Sequence, residues 1–78
     1  MHARDELARP VDAMIDAYVA WREESLGVWS AYRAWSAATE ADVELAFANY
    51  RAALDREGQA ATTYAHFSHQ VEQLSRRA

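Results

Sequence analysis

VDAMIDAYVAWREESLGVWSAYRAW, residues 11–35, is the stretch that decides the fold. Taken with Leu7 ahead of it, it places Val11, Met14, Tyr18, Trp21, Ser25, Val28, Tyr32 and Trp35 in steps that alternate between four and three. Only Ser25 breaks the apolar and aromatic run. Steps of four and three keep side chains on one side of an α-helix, so this is an amphipathic helix with a heptad-like stripe. Ile15 and Trp29 widen the stripe by one position on one flank.

The same alternation returns downstream as Val43, Phe47, Tyr50, Leu54, Glu57, Ala61, Tyr64, Ser68 and Val71. Beside it Ala46, Ala53, Ala60, Phe67 and Leu74 recur every seven residues. This predicts a second long amphipathic helix. Between the stripes lies Ala37-Ala38-Thr39-Glu40-Ala41-Asp42. Thr39 is a good N-cap type, with Asp42 placed to answer it as a short capping box. Glu40, Asp42 and Glu44 put negative charge where the helix dipole favours it. The expectation is one all-α domain over 1–78, an antiparallel two-helix hairpin. Helix 1 covers about 5–37, the turn lies near 38–40, and helix 2 covers about 40–76. At 1.5 Å per residue such a second helix is about 55 Å long. Pro10 either starts the first helix or bends it. Gly27 and Gly58 are weak points, but the heptad phase passes both unshifted, so neither is read as a stop.

Composition agrees. Eighteen of the 78 residues are Ala, with two Gly, one Pro and no Cys. That excludes a disulfide framework, a Cys-based zinc site and the turns of a many-stranded sheet. Eight Arg and no Lys stand against 12 acids, a net charge of −4 spread evenly along the chain. No basic face is offered to a phosphate backbone, which argues against nucleic acid. No apolar run approaches the length of a membrane span. Residues 1–9 hold Asp5 and Glu6 and no apolar core, so no classical secretory signal is expected and a cytoplasmic location is. Arg and Ala usage without Lys suggests a GC-rich bacterial genome.

Two helices cannot enclose stripes this wide. Three Trp, four Tyr and two Phe fall on or beside them, and leaving them in water would make a patch larger than soluble monomers carry. A homodimer closing into a four-helix bundle is the economical solution, with another helical protein as the other partner. The alanine flank, with Ala17 and Ala31 on helix 1, suits close intrachain packing. The interface is expected at Ile15 and Trp29, with Tyr18, Trp21 and Tyr32 beside them.

Candidate sites are few. Glu57 interrupts the second stripe, and pairing residue i with about 79 − i sets it near Arg22 and Ser25. These three form an expected polar core layer that fixes register. His66 and His69 lie one turn apart and, with Glu57, are weak metal candidates. Position 63, where a di-iron bundle would carry Glu, is Thr, and both histidines fall on the outer face. No catalytic residue and no cofactor are expected. No Ser sits in a Gly-flanked elbow and no Gly-rich phosphate loop is present.

In size, acidity, lack of Cys and hairpin plan the chain resembles the WXG100 proteins of type VII secretion. Where that family has Trp-x-Gly in its turn, this chain has Trp35-Ser36-Ala37, and Tyr64 is followed by Ser68 where the family has Asp or Glu. The resemblance implies a dimer secreted without a cleaved signal, an alternative to the leading expectation of a non-enzymatic adaptor, accessory or scaffold subunit. A metal- or cofactor-binding four-helix bundle is the third reading.

Overall fold

A computed structural model of the chain describes the backbone of residues 2–77 and the side chains of residues 8–77. Two α-helices, α1 (His2–Ser36) and α2 (Val43–Arg77), pack against each other as a hairpin. The molecule is a rod of 61 × 13 × 12 Å. Its length follows from the helices: 35 residues in each span about 52 Å at 1.5 Å per residue. The seam position expected for Leu7 lies outside the described side chains.

α1 runs through Pro10, so the proline neither starts the helix nor stops it. Its missing N–H removes one backbone bond from the ladder. Both glycines lie inside helices, and no described residue adopts a left-handed backbone. A Cβ built on Gly27 would meet nothing within 4 Å. Gly27→Ala therefore gains helix propensity with no clash. It should stabilise the chain by up to about 1 kcal/mol, read as a higher urea midpoint with an unchanged slope.

The turn differs from the sequence expectation. α1 closes with Ala37 N–H on the Arg33 carbonyl and Ala38 N–H on the Trp35 carbonyl, both at 3.1 Å. The second bond spans three residues instead of four, which tightens the last turn and ends the helix. Asp42 N–H then donates to the Thr39 carbonyl at 3.0 Å, and Ala46 N–H donates to the Asp42 carbonyl at 2.9 Å. The residue whose carbonyl takes the first helical bond is the N-cap, so the cap is Asp42 and not Thr39. The Thr39 hydroxyl donates to Asp42 Oδ2 at 3.1 Å rather than accepting from a backbone N–H. Residues 40–42 are thus spent on a tight turn, and α2 begins at Val43 instead of near residue 40.

The interior is made of small residues. Among the described side chains, the buried apolar ones are Ala17, 7% exposed, and Ala53, 1% exposed. They belong to the two alanine rows, which let the helix backbones approach closely. Glu24 breaks the α1 row and forms a solvent-facing ion pair with Arg56 at 3.3 Å. An exposed pair of this kind contributes little. No described helix is long and apolar enough to cross a membrane.

Candidate functional site: an open aromatic face

Beside the alanine seam the helices are zipped by aromatic rings in two clusters. Near the turn, Trp35 stacks on Tyr50 at 5.3 Å and packs on Phe47 at 5.0 Å, while Tyr32 meets Tyr50 edge-on at 5.8 Å. Further along, Trp21 stacks on Tyr64 at 5.6 Å and Tyr18 meets the same ring at 5.5 Å. Each such pair adds about 0.5–1.5 kcal/mol beyond the area it buries.

These pairings set the register. Tyr18 meets Tyr64, Tyr32 meets Tyr50 and Trp35 meets Phe47. In these three pairs the partner lies three positions further along α2 than the 79 − i rule places it, and in Trp21–Tyr64 and Trp35–Tyr50 it lies six further. The cause is the direction of side chains. Each Cα–Cβ bond leans toward its own helix N-terminus. On α1 that lean points away from the turn, and on α2 it points toward it. Ring tips therefore meet where the α2 residue starts further from the turn, whereas the Trp21 indole N–H reaches a residue one position nearer the turn than the rule.

The polar layer is corrected accordingly. Glu57 is half-buried, and the hydrogen bond it accepts comes from the Trp21 indole N–H, 2.7 Å from Oε1. Arg22 sits at the expected height but one position outside the seam, and it is exposed. Ser25 is half-buried. Height alone put Arg22 opposite Glu57; angle around the helix gives the contact to Trp21. Glu57→Ala removes the acceptor of a charge-assisted bond. It should cost about 1–2 kcal/mol, and Glu57→Gln, which keeps an acceptor, should cost less than half of that in urea unfolding. Equal losses in the two variants would contradict a role for this bond.

Trp21 thus belongs to the intrachain seam, whereas the other four residues expected at an interface lie open. Trp29 is 65% exposed and Ile15 50%, with Tyr18 and Tyr32 also exposed. Trp29 keeps one aromatic neighbour, Tyr32, edge-on at 6.2 Å. A shallow depression beside it is lined by Val28, Trp29, Tyr32 and Tyr50. α2 adds Phe47 and Leu54, both exposed. They stand seven residues apart, and Phe47 touches Trp35, so they share this side of the hairpin. Sequence reasoning placed the interface on helix 1 alone, although 47 and 54 were already on the second stripe. Val19 and Leu26 extend the apolar surface at its α1 edge.

His66 and His69 are exposed, and the His66 ring packs edge-on against Phe67 at 5.2 Å. Among the described residues no three His, Cys, Asp or Glu side chains converge as metal ligands, so His66, His69 and Glu57 form no such set. No family model, curated protein or solved structure matches the chain.

Proposed function

We propose that this chain is a non-enzymatic helical interaction module whose open aromatic face is completed by further helices. The partner is a second copy, giving a four-helix bundle, or another helical protein, and the role is that of an adaptor, accessory or scaffold subunit.

The observation that carries this reading is the inversion of ordinary burial. Among the described residues the buried apolar side chains are two alanines, while ten large ones, from Ile15 to Leu54, stand exposed. The chain exposes 6128 Å². A compact monomer of 8.8 kDa exposes about 4,800 Å². The surplus of about 1,300 Å² exceeds the roughly 800 Å² that each partner gives to a stable interface. The apolar residues on the side of Trp29, Tyr32 and Phe47 are where an association site is expected.

Trp29 is the natural anchor, being large, rigid and open. Truncated interface tryptophans often cost 2 kcal/mol or more. Trp29→Glu should therefore weaken self-association about thirtyfold or more, as measured by light scattering across a dilution series. Its helical content should stay unchanged, because within the chain Trp29 touches few groups. Association as tight as that of the native chain would remove this face as the docking site.

A further inference from the structure

We infer that the far end of α2, residues 64–77, is an arm that swings away from α1 about a hinge at residues 58–63, with Tyr64 as the latch that holds it closed. The arm is independent of what covers the open aromatic face.

The contacts between the helices are spread unevenly along the rod. From the turn to the middle they include Trp35 with Phe47 and Tyr50, Tyr32 with Tyr50, the Trp21–Glu57 hydrogen bond and the Arg56–Glu24 ion pair. Tyr64 comes next, stacked on Trp21 and edge-on to Tyr18. Beyond it, among the described residues, no ring pair, hydrogen bond or ion pair joins α2 to α1. The His66–Phe67 ring contact and the Arg76–Glu72 ion pair lie within α2. Past the latch the arm therefore rests on half-buried Phe67, Val71 and Leu74, with Val11 and Met14 half-buried on the α1 side. Pro10 takes one backbone bond out of α1 in the same stretch.

The segment just before the latch is a weak part of α2. Gly58 favours a helix less than alanine does. The Thr62 and Thr63 hydroxyls donate at 3.0 Å to the carbonyls of Gly58 and Gln59. A Thr hydroxyl that bonds back four residues competes with the helix ladder and bends it. Asp55, Gly58, Gln59, Thr62 and Thr63 line an open hollow on α2, and a Cβ on Gly58 would meet nothing within 4 Å, so this side of the helix is unbraced. Gly27 has the same open space. It lies between two residues held by α2, Trp21 on Glu57 and Tyr32 on Tyr50, whereas beyond Gly58 the ring that meets α1 is Tyr64. Few cross-helix contacts and a weakened ladder are what allow one part of a molecule to open while the rest stays folded. Opening uncovers Val11, Met14, Phe67, Val71 and Leu74 and leaves the turn half zipped.

Residue-resolved amide exchange of the full chain, at one fixed protein concentration, tests this. Corrected for intrinsic rates, amides of residues 66–74 should exchange about ten- to hundredfold faster than those of 47–57, with the change falling within 58–63. Tyr64→Ala should speed exchange in the arm about tenfold. Gly58→Ala should slow the arm by about fivefold at most. Gly27→Ala should slow exchange at 47–57 by a similar factor and leave the arm unchanged, because its segment stays folded when the arm opens. Protection that declines evenly from residue 47 to residue 77 would overturn the hinge, as would equal slowing of the arm by the two glycine variants. An arm unmoved by Tyr64→Ala would overturn the latch.

Discussion

Replacing Trp35 with alanine should lower the stability of the chain by about 2–4 kcal/mol. The ring is half-buried at the turn end, stacked on Tyr50, tilted against Phe47 and edge-on to Tyr32 at 6.1 Å. It joins α1 to α2 where the chain reverses, so its loss removes contacts on both helices at once. A fully buried tryptophan costs about 3–5 kcal/mol, and the partial exposure of Trp35 sets the lower range. Urea unfolding at fixed protein concentration measures it. Trp29→Ala, which deletes an open ring with one aromatic neighbour, is the comparison. Its effect should depend on protein concentration, whereas that of Trp35→Ala should persist at every concentration. A loss below about 1 kcal/mol for Trp35→Ala would show that the aromatic zipper contributes little to the hairpin.

Ala53→Leu should be nearly as damaging for the opposite reason. Ala53 is 1% exposed in the alanine row that lets the helices approach. Three added carbons have no space there, and overpacking costs typically about 1–3 kcal/mol. The strain should also splay the helices in the middle of the rod, where Trp21 reaches Glu57 across a 2.7 Å hydrogen bond. Alongside the lowered urea midpoint, the tryptophan near-ultraviolet circular dichroism should weaken. Ala52→Leu is the control, because Ala52 is exposed and a leucine there keeps helix propensity. Equal stabilities for the two leucine variants would contradict a close alanine seam.

The hairpin was legible because its cause is local. Helical spacing of Tyr18, Trp21, Tyr32 and Trp35 defines a stripe whatever the rest of the chain does, and the matching stripe from Phe47 to Val71 needs only one reversal between them. The alanines at 17 and 53 announced the close side by their size alone. The cap at Asp42 was less legible. Thr39 and Asp42 are both capping types, and the choice turns on which carbonyl takes the first helical bond, a matter of turn geometry. The partner of Glu57 was hidden for a different reason. Sequence spacing gives height along a helix, whereas contact also needs the angle around it and the lean of the side chain. Arg22 satisfies only height; Trp21 satisfies height and angle, and its long indole makes the reach. The open face was half legible. Ile15 and Trp29 showed as a widened stripe, but Phe47 and Leu54 counted as interior until the seam was seen to close on the alanine side.

The central claim is that this hairpin, with two alanines for an interior and its aromatic side open, is completed by another copy of itself. Sedimentation equilibrium of the purified chain at micromolar concentration tests it most directly. The predicted result is a species of twice 8.8 kDa, dissociating only on dilution. A single folded species of 8.8 kDa at every concentration would contradict it.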